Sequence, residues 1–337
     1  MPTIHDVARM AEVSPSTVSH VINKTRYVSP ATRERVQKAM EALNYQPNRL
    51  ARSLRARQTH TLGVLLPNSA NPFFAEVLLG IEAACFDLGY NIILGNANDD
   101  PQRELFYLEV LLSKQVDGIL LVSTGGYGEA LEILERHDAP VIMVDRWPGA
   151  LQIDAVLTDN EGGGLLATRY LLSLGHRRIG CITGPSLLTP SAARVTGYRR
   201  ALREAGLEVD ETLIVGGDFQ HQSGYRACQQ LLALPEPPTA IFVCNDMMAV
   251  GALCAVHEAG LSVPADVSVI GFDDISLASY TVPRLTTIAQ PSYEMGRIAV
   301  ERLIQRLQHG DLPVSHEQLP VSLVERDSCG PLPRRSA

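Results

Sequence analysis

From Thr61 onward, short apolar, β-branched runs alternate with longer amphipathic stretches, and this alternation restricts the fold more than any other feature of the chain. Candidate strands are residues 62–66, 91–94, 118–122, 141–144, 155–157, 179–182, 240–243, 267–271 and 287–289. Helical stretches lie between most of them, among them Pro72–Leu88 and residues 191–205. Strands that are apolar on both faces and separated by helices form parallel sheets covered on both sides, because each crossover lays a helix on a sheet face. The runs are too many for one small sheet, and a break at residues 159–164 divides them into two similar sets. Two doubly wound α/β lobes are therefore predicted. The late strand and helix of residues 286–308 are expected to return to the first lobe.

Residues 1–60 differ in kind. They carry ten basic against four acidic side chains, a net of +6, whereas the remaining 19 basic and 33 acidic side chains give −14. A basic head on an acidic body fits nucleic-acid binding by the head; a solvated basic surface has the same count. No apolar run reaches the length of a membrane span. The first nine residues hold His5 and Asp6 where an export signal needs a basic start and an apolar core. The six cysteines are scattered without a C-x-x-C pair, which suits free thiols in a reducing compartment. A cytoplasmic protein without membrane contact is expected.

Three short helices are legible in the head. Thr3 with Asp6 forms a capping-box pattern ahead of Ile4, Val7, Ala8 and Ala11 on one face. Ser14-Pro15 pairs an N-cap with proline at the first helical position and opens residues 16–23, and Ser29-Pro30 repeats the device. The short link between the first two helices suits a helix-turn-helix. The second helix offers Ser16, Thr17, Ser19 and His20, leaving Val18, Val21 and Ile22 for packing. Small hydroxyls allow close approach to phosphates and base edges, and a histidine can reach a base edge. A capped amphipathic helix in any small bundle shows the same pattern. Residues 47–57 follow, a basic segment with Leu50, Ala51 and Leu54 on one face and Asn48 as an N-cap. A helix so short is marginal alone in water, which makes it a candidate switch.

The run D-V-A-R-M-A-E-V-S-P-S-T-V-S-H-V-I-N-K resembles the headpiece of the lactose/galactose-repressor family of bacterial transcription regulators, and L-N-Y-Q-P-N-R-L-A-R-S-L resembles that family's hinge. The resemblance implies a recognition helix in the major groove of double-stranded DNA, with Ser16, Thr17 and His20 nearest the bases. Thr3, Ser14, Pro15 and Ser19 are assigned to the same DNA face, and Asn23 and Arg26 to the backbone or a flanking base. Pro15 stands where many relatives carry a hydroxyl residue. Hinge helices are expected to meet in the minor groove, wedging Leu54 into a base step, with Leu50, Ala51, Arg52 and Arg55 alongside.

Ligands in doubly wound sheets bind beyond the carboxyl ends of the strands. There the sequence places Asn71-Pro72-Phe73-Phe74, Asp145-Arg146-Trp147, residues 191–194, Asp218-Phe219, Asn245-Asp246, Phe272-Asp273-Asp274 and Gln290. Aromatic faces cover the C–H face of a sugar ring, and planar amide, carboxylate and guanidinium groups engage neighbouring hydroxyls in pairs. A nucleobase has less use for so many alternating donors and acceptors. Singly, each group has an ordinary reading: Asn71 as a helix cap, Phe73 and Phe74 as core, Asp145 and Arg146 as an ion pair. Together they resemble the pocket of ribose-binding proteins, on whose two-lobed fold this repressor family builds its sensor. That resemblance implies Asn71, Phe73, Phe74, Asp145, Arg146, Arg194, Phe219, Asn245, Asp273 and Gln290 as effector contacts. Ribose is the implied effector, with no cofactor.

Enzyme chemistry finds no support. Gly162-Gly163-Gly164 lacks the rest of a P-loop, no G-x-G-x-x-G stands at a strand–helix turn, and no nucleophile elbow is present. The nine histidines show no metal-ligand pair, and His176 at a helix end reads as cationic or capping. The expected organisation is a DNA-binding head at 1–46, a hinge at 47–59, and an effector and dimerisation domain at 60–330. Its first lobe takes about 60–160 and 290–320 and its second about 161–289 and 321–330, with a tail at 331–337. The segment from Ser328 onward has no leucine heptads, which favours a homodimer on a near-palindromic operator. Sugar is expected to weaken DNA binding. The alternatives are a purine-responsive repressor using hypoxanthine or guanine as corepressor, and a catabolite-control regulator using a partner protein.

Overall fold

The computed structural model describes every residue except 1, 24, 46–57, 126, 138, 148, 150, 151, 311 and 333–337. The hinge positions Leu50, Ala51, Arg52, Leu54 and Arg55 thus lie outside the described residues. The chain divides into two units, Met1–Thr59 and His60–Ala337.

The first unit contains α1 (Ile4–Met10), α2 (Pro15–Asn23) and α3 (Pro30–Ala42). Each starts where its cap dictates. Thr3 and Asp6 form the reciprocal capping box, and Ser14 and Ser29 each accept the backbone N–H three residues on. Val7, Ala8, Ala11, Val18, Val21, Val36 and Ala39 make one buried core, which fixes the outward face of α2.

The second unit repeats one pattern twice. Its first half contains β1 (Thr61–Leu66), α4 (Pro72–Leu88), β2 (Asn91–Asn96), α5 (Pro101–Ser113), β3 (Gly118–Leu121), α6 (Tyr127–Glu135), β4 (Val141–Val144) and β5 (Asp154–Thr158). The second half contains α7 (Asn160–Ser173), β6 (Ile179–Thr183), α8 (Thr189–Glu204), β7 (Ile214–Gly216), α9 (His221–Leu232), β8 (Ala240–Val243), α10 (Asp246–Glu258), β9 (Ser268–Asp273) and β10 (Thr286–Ala289). The chain then adds α11 (Ser292–Gln308), β11 (His316–Leu319) and β12 (Ser322–Val324). The two six-stranded sheets run β2-β1-β3-β4-β5-β11 and β7-β6-β8-β9-β10-β12. Neighbours are parallel except β12, which is antiparallel to β10. Each sheet reverses its winding beside its first strand, and that switch point is where such sheets open a crevice.

Several expectations need correction. β10 pairs with β9 in the second sheet, so only α11 returns to the first, where it packs on α4. The edge strands β11 and β12 carry no long apolar run and escaped the periodicity. Residues 159–164 do separate the two sets, and they do so at a helix start: Asp159 caps α7, and the three glycines stand in its opening turns. They serve close packing. A Cβ on Gly164 would stand 2.1 Å from the Arg194 carbonyl oxygen, and one on Gly197 2.1 Å from that of Glu161. The same reciprocal approach occurs at Gly80 and Gly296 between α4 and α11, and at Gly224 and Gly251 between α9 and α10.

His176 does cap α7, its N–H donating to the Leu171 carbonyl at 3.3 Å, but its ring is not an exposed cation at a helix end. It is fully buried between Thr239, Ser268 and the Gly330 carbonyl, and burial holds its basicity below the ordinary value. Residues 328–332 are bonded to the second sheet and to the end of α7. Ser328 Oγ donates to the Val269 carbonyl at 2.6 Å, Gly330 N–H donates to Ser268 Oγ at 3.1 Å, and Leu332 N–H to the Leu174 carbonyl at 2.9 Å. No helix among the described residues is long and apolar enough to cross a membrane.

Gly164→Val should lower the unfolding free energy by about 2–3 kcal/mol, because the added side chain must push the backbones of α7 and α8 apart. A urea midpoint equal to the wild type's would contradict the close approach of these helices.

Candidate functional site

The carboxyl ends of the two sheets face one cleft. Its inner end is a pocket of about 20 Å³ lined by Asn71, Phe73, Phe74, Asp145, Arg146, Pro190, Arg194, Phe219, Asn245 and Asp273. Nine of the ten residues expected to contact an effector therefore line one space. Gln290 is absent from the lining; its Nε2 donates to Asp273 Oδ1 at 2.7 Å and its Oε1 accepts from the Thr158 hydroxyl. A wider cleft of about 500 Å³ opens outside, where Thr124, Gly125, Pro185, Leu188 and Asp218 join Asn71, Phe74, Arg146 and Phe219.

Local chemistry explains each placement. Asn71 caps α4 through a bond from Phe73 N–H at 3.1 Å, which sets both phenylalanines in the first turn, their centroids 5.1 Å apart and edge-on. After β4 the chain turns sharply at Asp145, whose φ of 64° lies in the left-handed region. Phe219 at 69° and Asp273 at 117° share that unusual backbone. Non-glycine residues held there carry a conformational cost, and such residues concentrate at binding sites.

The charges are paired inside the protein. Arg146 Nε lies 3.7 Å from Asp145 Oδ2, its Nη1 donates to the Ser123 carbonyl at 2.7 Å, and its guanidinium stands 5.3 Å from the Phe74 ring centre. Arg194 Nη1 lies 3.4 Å from Asp273 Oδ1, and its Nε donates to Asn160 Oδ1 at 2.7 Å. Its guanidinium covers the Phe272 ring at 3.7 Å, and Nη1 also donates to the Cys244 carbonyl. All four charged side chains are at most 5% exposed. Burial raises the Asp145 carboxyl above its ordinary value, opposed by Arg146 and Arg194. Burial also pushes Asp273 up to about 7, opposed by Arg194 and by the bond from Gln290, with the Asp145 charge adding to the rise. Asp145 Oδ1 is buried without a hydrogen-bond partner, an acceptor open to a hydroxyl.

Pro190 and Thr124 were missed from sequence. Pro190 sits beside Thr189 in the first turn of α8, a proline position that marks a helix start. Thr124 follows β3, and the strand-end reasoning applied elsewhere would have reached it. Trp147 packs against His316, ring centres 4.1 Å apart, and does not line the pocket; Pro148 lies outside the described residues.

In the first unit, Thr3, Ser14, Pro15, Ser16 and Arg26 are exposed, and Thr17, Ser19, His20 and Asn23 partly so. The Ser14 hydroxyl meets those of Ser16 at 2.8 Å and Thr17 at 2.9 Å. His20 Nδ1 bonds Thr25 Oγ1 at 2.8 Å, and Asn23 Nδ2 donates to Ser19 Oγ at 3.2 Å. The Thr3 hydroxyl is engaged by Asp6 in the cap.

Comparison with known proteins agrees with both units. Residues 3–48 match the bacterial regulatory proteins of the lacI family, and residues 168–329 match the periplasmic binding protein-like domain. The ribose operon repressor of Escherichia coli (strain K12) is 46% identical over 329 residues, covering 97% of this chain and 100% of the relative. The HTH-type transcriptional repressor PurR of Vibrio atlanticus (strain LGP32) is 42% identical over 329 residues, with 97% and 98% covered. The lac repressor dimer bound to operator and the anti-inducer ONPF superposes with a TM-score of 0.87 at 32% identity over 97% and 98% of the chains. A lacI-family regulator of Enterococcus faecium with bound ribose gives 0.75 at 34% over 81% and 99%.

The raised Asp273 carboxyl has a measurable consequence. An acid whose folded value exceeds its unfolded value of about 4 binds more protons folded than unfolded, so its stabilising contribution is lost as pH rises from 4 towards 7. Ligand-free wild type should therefore lose stability relative to Asp273→Asn across that window. A difference between the two that stays constant with pH would refute the shift.

Proposed function

The chain belongs to the lacI family of bacterial regulatory proteins, and from that premise we propose that it is a repressor released from its operator by ribose. That it is a DNA-binding transcriptional repressor with a small-molecule sensor, and no enzyme, follows from the family. The effector and the sign of its action are the further step.

One observation carries the ribose reading. The pocket holds two arginine–aspartate pairs already matched in charge, roofed by aromatic rings, with a buried Asp145 oxygen left unpartnered. A site so balanced gains little from an anion. It favours a neutral ligand that brings hydroxyl donors to carboxylates and acceptor oxygens to guanidinium groups. A ring with apolar C–H faces then fits against Phe73, Phe74 and Phe219. The ribose operon repressor and the ribose-bound regulator among its relatives support the same ligand.

The two halves of the pocket belong to different sheets, so a bound sugar favours their approach. Sugar and operator affinities are then linked, and the linkage is reciprocal. We assign Ser16, Thr17 and His20 to base edges and Arg26 to the DNA backbone, with Leu54 of the hinge in the minor groove. The working unit is a homodimer on a near-palindromic operator.

Calorimetric titration of the full-length protein with D-ribose should give saturable heat, and added ribose should release operator DNA. Arg194→Ala is expected to cost about 100-fold in ribose affinity, because it strips a buried carboxylate of its partner. Heat with hypoxanthine or guanine and none with ribose would overturn the ligand assignment. Tighter operator binding with ribose would overturn its sign.

A further inference from the structure

Behind the pocket lies a carboxylate that none of the contacts above uses. Glu104, in the first turn of α5, is 1% exposed. One of its oxygens accepts from the Ser123 hydroxyl at 2.9 Å, and the other accepts from the backbone N–H of Thr124. Both partners belong to the loop that follows β3. The Ser123 hydroxyl also accepts from Gly125 N–H at 3.1 Å, and the Ser123 carbonyl accepts from Arg146 Nη1 at 2.7 Å. Thr124, Gly125 and Arg146 all line the cleft, and Arg146 reaches the inner pocket as well.

Fastening a loop does not by itself require a charge. A glutamine oxygen or a hydroxyl could accept one such bond without the penalty of taking an ionised carboxylate out of water, whereas the carboxylate presents an acceptor to each donor. Burial raises the Glu104 carboxyl above its ordinary value, and the charge of Arg146 opposes that rise. Arg146 thus has Asp145 beside it and donates to the carbonyl of Ser123, the residue whose hydroxyl Glu104 holds. A guanidinium held by a planar carbonyl whose own loop is fastened has its direction set before a ligand arrives, and such preorganisation improves binding.

We propose that Glu104 is a positioning residue for effector recognition. Acting through residues 123–125 and its own charge, it fixes the Arg146 guanidinium in the pocket. The proposal rests on reading that pocket as the effector site. Glu104 touches no ligand itself.

The test uses full-length wild type, Glu104→Gln, Ser123→Ala, Arg146→Lys and the Glu104→Gln/Arg146→Lys double variant. Each is titrated calorimetrically with D-ribose. The emission of Trp147, the chain's single tryptophan and the neighbour of Arg146, is recorded without sugar. Glu104→Gln should weaken ribose binding about tenfold and Ser123→Ala about threefold, since the latter keeps the Thr124 bond. Against Arg146→Lys, Glu104→Gln should cost less than about half as much on a logarithmic scale, because the fork it positions is gone. Trp147 emission should shift in sugar-free Glu104→Gln. An equal loss in both backgrounds would reduce Glu104 to a structural residue, and unshifted emission would overturn the proposal. Should Glu104→Gln fail to fold, the emission and ribose affinity of Ser123→Ala decide in the same directions. Absence of heat from the wild type would sink the ribose reading instead, and Trp147 emission alone would then decide Glu104.

Discussion

Two arginines and two aspartates withdrawn from water set the terms for this sensor. Removing an ion from water is unfavourable unless geometry and hydrogen bonds compensate, and a half-paired set is worse than none. Arg194 meets the requirement with five partners drawn from separated stretches of the sequence: Asn160, Phe219, Cys244, Phe272 and Asp273. Arg146 draws on Phe74, Ser123 and Asp145. The Arg146 contacts with Phe74 and Ser123 need the first sheet and its loops in place, and those of Arg194 need the second. The left-handed backbone at Asp145, Phe219 and Asp273 adds to the same demand, because it persists only where the surroundings dictate it.

The charged set also reaches the segments that join the sheets. Asp273 accepts from Gln290, Gln290 accepts from Thr158, and Asn160 Nδ2 donates to the Thr158 carbonyl at 3.2 Å. Thr158 ends β5 and Asn160 begins α7, where the chain first passes between sheets, and Gln290 stands at the second passage. At the third, Gln318 Nε2 donates to Asp159 Oδ1 at 3.4 Å. On the proposed reading, a ligand hydroxyl that competed for Asp273 would act on a group bonded directly to these passages. Gln290 gains meaning here: it does not line the pocket, yet it ties a pocket-lining carboxylate to the segments that join the sheets.

How much of this was legible in the sequence depends on what each residue had to signal. β1, β3, β4, β8 and β9 are covered on both faces and announce themselves as apolar runs. β11 lies at an edge with three of its four residues exposed, so no periodicity betrays it. The caps at Thr3, Ser29 and Asn71 were readable because a cap is a local bond between near neighbours. The pocket was readable because strand ends in a doubly wound fold converge, so position alone selects candidates. Charge pairing was readable only for the neighbours Asp145 and Arg146. Nothing local says that Arg194 lies over Phe272, or that Glu104 in a helix's first turn is buried rather than solvated. The burial of the His176 ring escaped for the same reason: its partners Ser268 and Gly330 lie some ninety and more positions away.

The hinge sequence explains why a modest change in the sensor can suffice. Residues 47–57 have apolar side chains on one face and basic ones on the other, yet too few residues to recover the cost of helix nucleation alone. On the proposed reading, a helix there would draw its order from contacts with DNA and with the sensor. A segment poised near equilibrium responds to coupling free energies of about 1–3 kcal/mol, which is the usual scale of allosteric linkage. One or two charge-assisted hydrogen bonds at Asp145 and Arg146, made in one arrangement of the sheets and not the other, are of that size. On the proposed reading, a longer, intrinsically stable helix would hold DNA whether or not the effector was bound.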